Sequence, residues 1–220
     1  MEVISYMNTV ISLNIGQPKV ELFYGKSITT GIAKKPVTGS VLLARTGFEG
    51  DGVSDTRHHG GIDKAVCVYS INHYVHWERV LGGGTLPAAA FGENLTVSGL
   101  VEGDVCIGDI YRIGSATVEV TQPRQPCNTL AIRHGRPNLV KLVVDAGYTG
   151  FYLRVLQEGY VEAGVEVVLK ERMFPEVTIT YANNVLHHDK KNLPAIRKVL
   201  SVPALSEAWQ RSFRELMEKA

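Results

Sequence analysis

Hydrophobic positions along the chain fall into short, β-branched tracts punctuated by glycine: Val10 to Ile15, Val41 to Ala44, Ala65 to Tyr69, Asn94 to Val97, and Ile110 to Val120, the last broken at Gly114 and Ser115. Tracts this short and this frequent predict a closed β-barrel rather than a layered parallel sheet. The β pattern returns at Phe151 to Leu156, turns near Glu158 and Gly159, and would complete the barrel at Val165 to Leu169. Helices are a minority in this part. One is predicted at Ile71 to Leu81, with Ile71, Tyr74, Val75 and Leu81 on one stripe and a triple-glycine stop at Gly82 to Gly84. A second runs from Asn138, as a cap, to Ala146, where Gly147 closes it.

After Pro175 the period changes. Ile196 and Leu200 lie on one helical stripe, and Trp209, Phe213, Leu216 and Met217 on another. Three short helices fit, with Pro194 in a first turn and Ser206 capping the last. The expected organisation is a mainly β barrel domain over residues 1–174 and a small three-helix unit over 175–220 that docks on it without supplying site residues.

A chain of 220 residues supports one sizeable core and a small appendage. Hydrophobic residues at 45%, charged ones at 20% and a formal net charge of +1 describe an ordinary globular protein and give no sign of nucleic-acid binding. Three cysteines, Cys67, Cys106 and Cys127, have no paired short spacing, which argues against a disulfide framework, a zinc knuckle or an iron–sulfur cluster. A reducing cytoplasm is the expected location. The start of the chain lacks a basic region followed by an apolar run, and no stretch approaches the roughly 20 apolar residues of a membrane span.

The candidate chemistry centres on QPRQPCNTL, Gln122 to Leu130. Pro123 and Pro126 fix φ and remove two backbone donors, so the segment reads as a stiff, non-helical stretch that presents the Cys127 thiol. Arg124 and Arg133 flank it, and a guanidinium nearby favours the thiolate, the form that attacks electrophiles or ligates a soft metal. Cys67 and Cys106 lie in or beside β tracts and read as core fillers. In Phe48 to Ala65, the residues Arg57, His58, His59, Asp63 and Lys64 crowd around Gly60 and Gly61, which reads either as an anion-binding turn or as a solvated loop. FGEN, Phe91 to Asn94, offers an amide and a carboxylate suited to a heterocycle edge, and is equally a turn. In IAKKPV, Ile32 to Val37, the two lysines alone describe an exposed charged edge.

Taken together, IAKKPV, GDGVSDTRHHGGIDKAVCVY, FGENLTV, GDIYRIG, VTQPRQPCNTL and GFYLRVLQEG, in this order and followed by a three-helix tail, resemble the MOSC family, related to the C-terminal part of molybdenum cofactor sulfurases, in its YiiM-like branch. The resemblance implies a mononuclear molybdenum carried by a pyranopterin dithiolene, with Cys127 as the protein thiolate. It assigns Lys34, Arg57, His59 and Lys64 to the cofactor's phosphate and pterin, and Asn94 and Asn128 to its polar edges. His58 and His59 compete for one inward position, and His59 is favoured because it abuts the two glycines. The implied activity is reduction of N-hydroxylated compounds, such as 6-N-hydroxylaminopurine, to the amine. The resemblance thereby also implies a detoxifying role, hydroxylaminopurine resistance. His59 is a candidate proton source beside Cys127.

No dinucleotide fingerprint and no cluster-type cysteine set appears, so electrons are expected from a separate reductase. Neither a nucleic acid nor a membrane is an expected partner, and the oligomeric state is open, a homodimer included. Two other readings stand beside this one. One is a cofactor-binding or sulfur-carrier module without turnover. The other, setting the resemblance aside, is a Cys127–histidine nucleophile pair for hydrolysis or acyl transfer.

Overall fold

The computed structural model describes residues 8–56 and 59–219. In chain order the strands are β1 (Thr9–Ile15), β2 (Lys19–Phe23), β3 (Lys26–Thr30), β4 (Lys35–Pro36), β5 (Val41–Ala44), β6 (Gly47–Phe48), β7 (Val66–Ser70), β8 (Leu95–Ser98), β9 (Ile110–Ile113), β10 (Ala116–Pro123), β11 (Phe151–Gln157), β12 (Gly159–Val161) and β13 (Val167–Glu171). The helices are α1 (Tyr74–Val80), α2 (Asn128–Arg133), α3 (Leu139–Ala146), α4 (Ile179–His187), α5 (Leu193–Leu200) and α6 (Glu207–Lys219). None of them is long and apolar enough to cross a membrane.

Eight strands form one sheet in the order β13-β9-β10-β11-β7-β8-β1-β4. All its pairings are antiparallel except β7 with β8, whose parallel register requires the crossover that α1 supplies. Alternation explains β10: Ala116, Val118 and Val120 point into the core, whereas Glu119 on the other face meets its cross-strand partner Arg154 at 2.9 Å.

The expected barrel is met only in part. The sheet does not close through a continuous ladder. Its flanks touch at one isolated bridge, Thr9 with Glu166, supported by backbone bonds from Val10 N to Val165 O and from Gly164 N to Val10 O. The β5, β6 and β12 strands form a separate three-stranded sheet.

The helix ends follow local chemistry. Gly147, at φ 72°, ends α3, and the Thr178 hydroxyl accepts from Tyr181 N at the start of α4. The Asn192 carbonyl oxygen accepts from Ala195 N, with Pro194 in the first turn of α5, and the Ser206 hydroxyl accepts from Trp209 N at the start of α6. Several of the sequence-based helix expectations need adjustment: Asn138 stands at the start of α3 without a side-chain cap bond, and Val75 of the expected stripe is exposed. The first helix opens with a separate 3-10 turn at Ile71–His73, and the stretch after Cys127, expected to be non-helical, forms α2 as soon as the prolines end.

The three C-terminal helices have no core of their own. Ile179, Val185, Ile196, Val199, Trp209 and Phe213 belong to the same buried cluster as the strand residues Val10, Leu95, Val118 and Val155. A second cluster gathers Tyr69, Tyr74, Trp77 and Phe91 with Leu130, Leu139 and Val143, fastening α1, α2 and α3 to the other side of the sheet.

Candidate functional site

Where the end of β10, α2 and α6 approach residues 46–55 and 59–65, the structure forms a cavity of about 650 Å³. Cys127 lines it from the N-cap position of α2, with extended φ −106° and ψ 164°. Burial disfavours the thiolate, but a hydrogen bond from the His59 side chain, the Arg124 guanidinium and the Leu130 amide outweigh it, so the Cys127 thiol is pulled down to about 6. At neutral pH the cavity therefore presents a thiolate.

Arg124 sits just past the end of β10, its backbone N–H donating to Gly150 O at 3.0 Å. It is 5% exposed, and its Nη1 is buried without a partner among the described residues. Burial works against the guanidinium charge, yet an arginine is basic enough to remain protonated here, with Cys67, Tyr152, Cys127 and Glu93 around it. The neighbouring groups behave oppositely. Burial pushes the Cys67 thiol up to about 11 and the Tyr152 hydroxyl well above its ordinary range, so both stay neutral. Cys67 and Tyr152 are register partners on β7 and β11, and both line the cavity. Cys67 is thus a wall residue as well as a filler.

The opposite wall is organised by Asp51. Its Oδ1 accepts from Gly16 N at 2.9 Å and from the Lys34 ammonium, and its Oδ2 accepts from Asn94 Nδ2 at 2.8 Å. Both members of the Lys34–Asp51 pair are nearly buried, with side chains 6% and 11% exposed. Asn94 also spends its carbonyl oxygen on Cys67 N at 3.1 Å. Lys34 and Asn94 line the cavity as expected, but both are committed to holding its wall.

Lys64 is half-buried beside Asp63 and Arg211, and its ammonium is held below the usual lysine range, first by burial and then by Arg211. Arg211 and Ala208 come from α6 and line the same cavity, so the tail supplies site residues, contrary to the docking-only expectation. The N-terminus of α6 is fastened next to Lys64, since Asp63 accepts from Glu207 N at 3.1 Å while its other oxygen holds Arg154 at 2.6 Å.

Of the nominated residues, Cys127, His59, Lys34, Lys64 and Asn94 converge on the cavity. Asn128 does not. It is exposed on the first turn of α2, because the helix turns it away from the wall that Cys127 lines. Arg57 and His58 lie outside the described residues. Arg133, expected near the thiol, spends Nη1 on Ile32 O at 2.6 Å. Glu93 of FGEN points away from the cavity, accepting from the Tyr74 hydroxyl, Thr96 Oγ1 and Phe91 N. Sequence reasoning missed Asp51, Tyr152 and Arg211 as site residues. Asp51 stands between two glycines and could have been suspected, whereas no local signal marks Arg211.

A family model for the MOSC domain matches residues 55–168, and one for the YiiM-like, 3-alpha helix domain matches residues 177–220. The YflK protein of Bacillus subtilis (strain 168) is 49% identical over 211 residues, spanning 96% of this chain and 95% of its own. A protein named reductase from Gibberella moniliformis is 32% identical over 182 residues, which span 81% of this chain but 32% of that protein. The crystal structure of YiiM from Geobacillus stearothermophilus has a TM-score of 0.81 at 40% identity, covering 96% of this chain and 99% of that one. The chain therefore belongs to the MOSC domain family, in its YiiM-like branch.

Proposed function

We propose that the cavity binds a mononuclear molybdenum cofactor through Cys127 and that the protein reduces N-hydroxylated compounds, with 6-N-hydroxylaminopurine as a representative substrate. The carrying observation is the Cys127 thiolate, pulled down to about 6, beside the buried Nη1 of Arg124, which has no partner among the described residues. One thiolate suits a soft metal that arrives with further ligands of its own. Among the described residues no three His, Cys, Asp or Glu side chains gather as a metal cage.

The remaining lining fits such a group. Lys64 and Arg211 bring two cations to the cavity lining, where a phosphate would meet them, and Gly61, at φ 82°, has open space where a side chain would stand, so its backbone can approach a ligand. Arg124 Nη1 would find in an anionic or carbonyl oxygen the acceptor that no described residue provides. His59 holds the Cys127 sulfur in place and is the group assigned to protonate the departing oxygen. Lys34 and Asn94, tied to Asp51, keep the wall rigid.

When bound, the cofactor would supply the two electrons that, with two protons, convert R–NHOH to R–NH₂ and water. Electrons come from a separate reductase in this reading. The relative named reductase supports a reductive role, and this chain corresponds to about a third of its length.

The test is molybdenum and pterin content, together with amine formation, in wild type and Cys127→Ser, both produced in a molybdate-replete host and supplied with a chemical reductant. Wild type should carry molybdenum and yield the amine, and the variant should lose both while remaining folded. Cofactor retention with no amine from any N-hydroxylated compound would favour a carrier role. Hydrolytic turnover by cofactor-free protein would favour the Cys127–His59 pair as a nucleophile and base.

A further inference from the structure

The β2–β3 hairpin stands apart from the rest of the sheet. Five register pairs, from Lys19 with Thr30 to Phe23 with Lys26, join the two strands, and among the described residues neither strand pairs with another. An isolated two-stranded ribbon is marginal in water, so what holds this one matters.

Its feet are fastened to the cavity wall. Gly16, just before β2, donates to Asp51 Oδ1 and accepts from Gly52 N at 3.1 Å. Gly31, just after β3, lies so close that an added Cβ would stand 2.4 Å from Gly52 O. Thr30, Gly31 and Ile32 then line the cavity.

The tip is held differently. Tyr24 and Gly25, at φ 47° and 78°, form a two-residue turn with both φ positive, a geometry that favours Asn or Gly at the first position. Tyr24 is strained there and 77% exposed, yet its ring lies flat over Gly135, where a Cβ would meet three ring carbons at 2.9 Å. Gly135 belongs to the turn between α2 and α3, so the contact ties the hairpin tip to the helix that begins at Cys127. Arg133, on the same helix, binds the Ile32 carbonyl at the hairpin's exit.

We propose that the β2–β3 hairpin is a flap controlling access to Cys127, pinned shut by the Tyr24 ring on Gly135 and by Arg133 on the Ile32 carbonyl. Among the described residues the feet carry the Gly16 bonds to Asp51 and Gly52, and the tip rests on the Tyr24 ring contact, so the tip lifts first and the wall at Thr30–Ile32 follows. These contacts lie within the chain and involve no bound ligand.

The experiment uses the full chain without cofactor and measures alkylation of Cys127 by peptide mass mapping, with iodoacetamide and with a bulky polyethylene-glycol maleimide. Tyr24→Asn is the informative variant, since Asn suits the turn and preserves the ribbon while the ring is lost. Loss of an aromatic contact should raise the bulky reagent's rate about three- to tenfold and speed amide exchange across residues 19–30. Gly135→Asn, which tolerates positive φ and displaces the ring, should act in the same direction. Unchanged or slower Cys127 labelling in both variants would overturn the proposal. Parallel acceleration at Cys106, buried away from the cavity, would mark general unfolding and overturn it as well.

Discussion

His59 donates a hydrogen bond to the Cys127 sulfur, joining the glycine-rich loop after β6 to the N-terminus of α2. Among the contributions that favour the thiolate it is the largest. A lowered thiol means the reactive form is gained as pH rises through about 6, earlier than for a free cysteine. Alkylation of Cys127 in cofactor-free protein should therefore climb with pH, reach half its plateau near that value and then level off. His59→Ala should move the midpoint upward. Cys67, pushed up to about 11, should remain unlabelled at neutral pH in the same peptide map.

Asp51→Ala should destabilise the fold by about 3 kcal/mol, because it leaves the Lys34 ammonium buried without its counter-charge. Gly16 N and Asn94 Nδ2 lose an acceptor in the same step. Urea denaturation of cofactor-free protein measures the cost. A loss below about 1 kcal/mol would place the pair in effectively solvated surroundings.

Lys64→Ala with Arg211→Ala should lower cofactor retention more steeply than it lowers the urea midpoint, since both residues line the cavity and Arg211 is exposed. Pterin content after purification reads the first quantity. Full retention in the double variant would remove these two cations from the phosphate site.

Truncation near Pro175 should not leave a folded sheet with a working site. Trp209 and Phe213, 1% and 0% exposed, complete the core that the strands share, and α6 carries Arg211 into the cavity. The truncated chain should aggregate or bind a hydrophobic dye, and Trp209→Ala in the full chain should cost about 3–5 kcal/mol. A soluble, cooperatively melting truncation that retains molybdenum would contradict this.

Much of the fold is legible in the chain because the signals are local. Val41 to Ala44 becomes β5 with its predicted bounds, the break at Gly114 and Ser115 separates β9 from β10, and Gly147 ends α3. Ser206, Asn192 and Thr178 cap helices through their own side chains, as short-range hydrogen bonding dictates. The short β2–β3 ribbon was not legible, since its apolar residues Val20 and Leu22 stay exposed and bury no stripe.

The candidate site divides in the same way. The prolines around Cys127 and the glycines after His59 mark, from residue type alone, a presented thiol and a loop able to approach a ligand. Only the tertiary structure decided which polar groups remain free to serve that ligand. Asp51 claims Lys34 and Asn94, the first turn of α2 carries Asn128 outward, and packing of α6 on the strands brings in Arg211. Hydrogen-bond capacity is limited and is allotted among groups that meet only after the chain folds, so residue type can nominate a ligand-binding side chain while long-range packing determines whether its donors are already taken.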